Sequence, residues 1–496
     1  MDLAHDVAIA LFLLATVGVA VVGYLNGGQP SSASEFFHSS DDKQNIVGLF
    51  VATVTVASGV GYLLAGGQIN GPAMLAVPIA MLFGYRLLAH FYGHVISSSF
   101  TAHSSFWAGA QALISQLTEK NSIVGMVLTV PLAVIFVLFC AFELLVSSQI
   151  ISAILVKNPS LFTQMAVAAA MFLSPLVLTA KAGVRGVFKA DALQFIGIVL
   201  FAAVFGIAAM LSYQPGEMPA RPPSFLQLID SPQLTVTLML AILASMLTQF
   251  YSTINHHTAA NVSGNNEILT RILTRTAAML VVFFSTMILI GAYSGVPWTK
   301  GLPLGVETLL ARLPVGGATA ILLGFVVVGL VCVTVTTLQS LMLGVTLQIY
   351  GGVLGRNSKA ISHDIQEVWF VRKLMIGIFG SVVLLSALAF YANPSTFYTL
   401  LAIASGAEAL VPLIVLIGFL SRGVSDLAIL SNKILAIYPI FFASAIVSNL
   451  ILAKLNPSLV PFVSLAHFLF SALYSGAIAQ TNKRNKIASA GTQSGA

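Results

Sequence analysis

Hydroxyls at Thr336, Thr337 and Ser340 interrupt the apolar run VCVTVTTLQSLMLG at spacings of three and four residues, which on a helix converge on one side. Neutral hydroxyls beside freed backbone carbonyls make an oxygen shell suited to a weakly held hard cation. The same hydroxyls can instead bond back to carbonyls of their own helix. Two other stretches carry polar groups where a membrane span is due. VASGVGYLLAGGQINGP, Val56 to Pro72, holds Gly59, Gly61, Gly66, Gly67 and Gly71, and ASMLTQFYSTINHHTAANVSG, Ala244 to Gly264, holds Gln249, Ser252, Asn255, His256 and His257. Lipid cannot satisfy exposed backbone or polar side chains at that depth, so Ser58, Gly59, Gly61, Gln249, Ser252 and Asn255 are expected to line a polar solute site. Close helix packing is the alternative use of the glycines.

The acids supply the remaining chemistry. In KAGVRGVFKADALQF, Lys181, Arg185 and Lys189 lead to Asp191, after which the chain stays apolar to about Leu211. Asp191 reads either as a first-turn acid favoured by the helix dipole, behind bases that anchor a cytoplasmic loop, or as a functional carboxylate. Glu143, one turn from Ser147, can face the membrane midplane and pair with an amine, or bond another helix without touching solute. Glu143, Asp191 and Glu408 are also groups able to relay protons. His256 and His257 are adjacent and point apart on a helix, which disfavours a two-histidine metal site. No nucleophile with its base, no Cys/His ligand spacing and no Walker loop occurs, so neither an enzyme nor an ATP-driven pump is expected.

These groups must be positioned by membrane helices. Of 496 residues, 57% are hydrophobic and 8% charged, against roughly 25% charged in soluble domains. Cys140 and Cys332 lie in apolar runs and imply no disulfide framework. Apolar segments fall at about 7–24, 46–68, 72–95, 123–155, 161–180, 190–212, 234–257, 272–295, 316–350, 370–391, 396–420, 434–453 and 458–480, thirteen in all. The first lacks the basic leader of a signal peptide and reads as a retained helix. Thirteen crossings place 17 of the 22 Lys and Arg residues on one side, which is then the cytoplasm, with the N-terminus outside and the C-terminus inside. Such dispersed bases give no nucleic-acid footprint. The two polar-interrupted segments open the second and seventh spans, five helices apart, as expected of midplane sites in inverted-repeat transporters.

Four stretches in order resemble the sodium/solute symporter family, which includes sodium-coupled sugar, proline, pantothenate and sialic acid transporters; the likeness runs over roughly residues 35 to 435. KAGVRGVFKADALQF is similar to the family's glycine-rich loop and Thr-Asp-x-x-Gln helix start, through Ala190, Asp191 and Gln194. VTTLQSLML resembles its Ser-Thr-x-Asp-Ser-x-x-Leu stretch, with Gln339 in place of the acid. VATVTVASG, after an aromatic lead at Glu35, Phe36 and Phe37, resembles the first core helix, and GFLSRGVSD the basic end of the tenth. In the sixth core helix the chain reads INHHTAAN and lacks the family's arginine.

The resemblance implies an all-α, leucine-transporter-like fold of two inverted five-helix repeats. Its boundaries would be an extra helix and cytoplasmic loop at 1–44, a core at 45–425 (repeats 45–212 and 234–425), two helices at 426–482 and a cytoplasmic tail at 483–496. It also implies a sodium site at Ala52, Thr55, Val333, Thr336 and Thr337, and a second cation at Asp191 and Ser340. The function expected is sodium-coupled import of a small polar solute, an amino acid, amine or organic acid, through the cell membrane by alternating access. The alternatives are proton coupling on the same fold and a solute-sensing module that does not transport. Sodium serves as coupling ion with no other cofactor, and the expected partners are solute, sodium and bilayer, with no obligate protein partner.

Overall fold

The computed structural model describes residues 2–37, 45–91, 122–156, 158–212, 230–251, 266–296, 309, 312–313, 316–354 and 365–391, with scattered positions between 444 and 481. Among the described residues every regular element is helical. The helices are α1 (Asp2–Asn26), α2 (Ala33–Phe37), α3 (Asn45–Thr53), α4 (Tyr62–Asn70), α5 (Ala76–Phe91), α6 (Ser122–Leu155), α7 (Leu161–Leu211), α8 (Pro232–Tyr251), α9 (Asn266–Tyr293), α10 (Gly317–Gln348) and α11 (Ile365–Tyr391). Seven described helical stretches are long and apolar enough to cross a bilayer. Their outer faces carry large apolar side chains such as Leu14, Phe162 and Met210, the last two 81% and 79% exposed, as suits lipid as solvent. The chain is a multi-pass membrane protein, all-helical among the described residues. The expected span at 396–420 and Glu408 lie outside the described residues, as do most positions of the spans at 434–453 and 458–480.

The helices sort into two groups by contact. α3, α4 and α5 pack with α8 and α9, while α6, α7, α10 and α11 pack among themselves, and α1 lies across α7 and α10. Gly67 and Gly291 let α4 and α9 meet backbone to backbone: a Cβ at Gly67 would overlap the carbonyl oxygen of Ile288, and one at Gly291 that of Leu64. For Gly67, then, the packing use holds.

The basic stretch is not a loop. The spans expected at 161–180 and 190–212 belong to one helical run, interrupted only at Gly183, whose φ of 57° and ψ of −147° glycine alone adopts readily. Asp191 is therefore not a first-turn acid; it lies eight residues beyond the bend and is 2% exposed. A Cβ at Gly183 would also overlap the Phe36 carbonyl oxygen, so the bend is where buried α2 docks. Around it the Lys181 ammonium donates to the Tyr24 carbonyl at 3.2 Å, and Arg185 pairs with Glu35 at 3.6 Å. The Arg185 pair is partly exposed and contributes little to stability. Gly183→Ala is expected to cost at least about 1–2 kcal/mol through the left-handed φ alone, read as a lower melting temperature of the detergent-purified protein; an unchanged melting temperature would show that α2 does not require the bend.

The first core segment is broken, but upstream of the glycines. Helix α3 ends at Thr53, Val54 and Thr55 are non-helical, and a π-helical turn, Val56–Gly61, leads into α4. The interruption falls in the run VATVTV, where β-branched side chains restrict helical rotamers and the Thr53 hydroxyl already donates to the Leu49 carbonyl at 2.7 Å. Gly61 has ordinary helical angles, and Gly71, at φ 57°, terminates α4.

Candidate functional site

At the break the two groups of helices meet. α10 brings Thr337 onto it: the Thr337 hydroxyl lies 3.1 Å from the Val54 carbonyl oxygen and 2.9 Å from that of Val333, one turn back on its own helix. Thr334 and Thr346 bond only inward among these contacts, to Leu330 and Met342 at 2.8 and 2.7 Å. Thr336 does neither, for its Oγ1 is buried with no hydrogen-bond partner among the described residues. Ala52 and Val333 are buried, and the Thr55 carbonyl accepts from the Val60 N–H at 2.8 Å. Of the five residues expected around sodium, Thr337 reaches the break directly and bonds back to Val333, and Val54 contributes a carbonyl that sequence reasoning had not named.

On the far side of the break the helix that restarts at Val56 exposes backbone N–H groups. The Val56 N–H donates to Glu143 Oε1 from α6, so a carboxylate sits on the positive end of the stretch Val56–Asn70. Glu143 is 2% exposed, and Ser147, one turn along the same face of α6, is buried with its Oγ unpartnered. Ser58 and Gly59 belong to the π turn that follows.

The second acid lies toward α3 and α10. A Cβ at Gly48 would stand 2.8 Å from Asp191 Oδ2, so the carboxylate reaches α3 only because residue 48 lacks a side chain. The Gln194 amide donates to Gln339 Oε1 at 3.1 Å, joining α7 to α10. The pairs Gln194 with Gln339, Gly197 with Cys332 and Phe201 with Gly329 make these helices antiparallel. Asp191 and Ser340 therefore fall on one side of the Gln194–Gln339 bond and Thr336 on the other. Among the described residues, Asp191 Oδ1, Gln194 Oε1 and Gln339 Nε2 are all buried without partners. Each such atom costs about 1–3 kcal/mol if left unsatisfied. Sequence reasoning missed the Gln194–Gln339 pair; two glutamines facing each other inside apolar helices were its signal.

Gln249 is buried in α8 and donates to the Ser245 carbonyl at 3.1 Å; its Cγ would stand 3.0 Å from a Cβ at Gly84 of α5. Ser252 and Asn255 lie outside the described residues.

The fold is shared with two membrane transporters of solved structure. The chain is similar to the substrate-bound, outward-open state of a Na+-coupled sialic acid symporter, with a TM-score of 0.60 at 11% identity, covering 90% of this chain and 98% of that one. It is also similar to the manganese transporter of Eremococcus coleocola in complex with an aromatic bis-isothiourea substituted compound, with a TM-score of 0.50 at 12% identity over 90% and 95% of the two chains. No protein-family model and no curated protein sequence matches the chain.

Proposed function

We propose that this protein is a sodium-coupled secondary symporter that imports a small polar solute by alternating access, on two inverted repeats at 45–212 and 234–425 within thirteen spans. The observation that carries the proposal is the Thr337 hydroxyl on the Val54 carbonyl, with the unpartnered Thr336 oxygen on the same turn of α10. Sodium held there by Ala52, Thr55, Val333, Thr336 and Thr337 would fix the broken segment against α10 and raise solute affinity. By linkage, solute would raise sodium affinity by the same factor. Asp191 and Ser340 would hold a second cation. The solute would sit between α6 and the π turn, near Ser58, Gly59, Gly61 and Glu143, with Gln249, Ser252 and Asn255 contributed from the sixth core segment.

Solute accumulation in proteoliposomes under an inward sodium gradient at equal pH tests this reading. Binding without accumulation would favour a sensor. Proton coupling is favoured by one observation, the buried and unpartnered Asp191 Oδ1, and it requires accumulation under a pH gradient with no sodium.

The topology that accompanies this proposal puts the N-terminus outside. A single cysteine at exposed Lys189, with Cys140 and Cys332 replaced, is expected to react with a membrane-impermeant maleimide only after the membrane is opened on the cytoplasmic side. Labelling from outside intact cells would reverse the orientation.

A further inference from the structure

Glu143 occupies the place where a broken-helix transporter can hold an anionic group of its solute. Half-helix N-termini attract substrate carboxylates in such folds, yet here the Val56 N–H is already given to a carboxylate of the chain. A second carboxylate brought to the same end would meet repulsion in place of attraction.

The same face of α6 continues from polar to apolar. Glu143, the unpartnered Ser147, Ile150 and Ile154 follow one another at helical spacing. Opposite them Val56, Val60 and Leu64 form one face of the restarted helix, and with Ile150 and Ile154 they border a cavity whose described lining is wholly apolar. Val56 belongs to both parts, its N–H on Glu143 and its side chain in the cavity wall. The void is about 20 Å3, room for little more than one water. Its walls come from both helix groups, the restarted helix on one side and α6, α7 and α10 on the other, so the alternating-access movement proposed above would widen it.

We propose that the solute is a small organic amine with an apolar body and no carboxylate, its ammonium facing Glu143 and Ser147 and its body entering the apolar cavity. This inference rests on the transport reading above and narrows its solute class. It makes Glu143 the fixed counter-charge of the site and excludes amino acids and organic acids of the same skeleton.

The test uses the purified full-length chain in detergent with sodium, and reads thermal stabilisation by two matched sets: isopentylamine, leucine and isohexanoate; phenethylamine, phenylalanine and hydrocinnamate. The amines are expected to stabilise the protein at concentrations at least about tenfold below any effect of their carboxylate-bearing partners. Glu143→Gln keeps an acceptor for the Val56 N–H but removes the charge, and it is expected to weaken the amine response about tenfold or more. Ser147→Ala, a milder change, is expected to weaken it severalfold and serves if Glu143→Gln does not fold. Equal stabilisation by the carboxylates, no response to either amine, or an amine response unchanged in both variants would overturn the inference. Sodium titrated alone separates the two proposals. A sodium response lost in Thr337→Ala without an amine response sinks the amine site only, and an amine response without any sodium response sinks sodium coupling only.

Discussion

Thr337→Ala is expected to raise the sodium concentration for half-maximal uptake by at least about tenfold, and Thr336→Ala by a comparable or somewhat smaller factor. A hydrogen bond or ligand contact to a charged group contributes about 1.5–3 kcal/mol, and 1.4 kcal/mol is one decade of affinity. Thr337 carries the larger expectation because its hydroxyl also ties α10 to the Val54 carbonyl, so its loss frees the broken segment as well as removing an oxygen. Thr336 offers a buried oxygen with nothing to bond among the described residues, and its removal relieves that cost in the ion-free state while weakening the ion-bound one. Both positions lie in an apolar helix that alanine favours, so insertion should be unaffected. Thr337→Ser restores the hydroxyl and should restore sodium dependence. Uptake titrated with sodium in proteoliposomes is the measurement, and unchanged sodium dependence in folded Thr337→Ala protein would remove the junction of α10 and the break as the ion site.

Asp191→Asn is expected to lower the number of cations moved per solute by about one while leaving Thr337-dependent sodium binding in place. A carboxylate buried in α7 against α3, its Oδ1 without a partner among the described residues, is costly unless a cation or a proton neutralises it. Asparagine keeps the shape against Gly48 and removes the need for that charge. The reversal potential of solute-coupled current at several sodium gradients gives the ratio. An unaltered ratio would leave Asp191 as a structural or gating carboxylate, and a ratio that follows the proton gradient would assign it to a proton.

The class of protein was legible without coordinates because it follows from composition. Apolar runs of spanning length force helices, since lipid offers backbone groups no partner. Two local signals were misplaced. Glycine density pointed to 56–72, where a π turn at Val56–Gly61 and the left-handed Gly71 do interrupt the α-helix, but the non-helical residues Val54 and Thr55 lie just before it, and the clustered glycines include Gly67, which serves close contact with α9. The basic run at 181–189 looked like a loop by charge, yet it is helical on both sides of one glycine, because bases can sit on a helix wherever its surface reaches polar surroundings.

The sequence by itself determined that this is a multi-pass helical membrane protein, and it picked out Thr336, Thr337, Asp191 and Glu143 as polar groups in costly places, because burial cost depends on residue type and an apolar neighbourhood alone. Only the tertiary structure decided where those groups point. The four residues lie on three helices that the linear pattern cannot bring together, and helices hydrophobic nearly all round carry almost no directional signal of which face meets which neighbour. That Thr337 meets Val54 across 283 residues, and that Glu143 rather than a solute caps the restarted helix at Val56, follows from how α6 and α10 pack against a two-residue break.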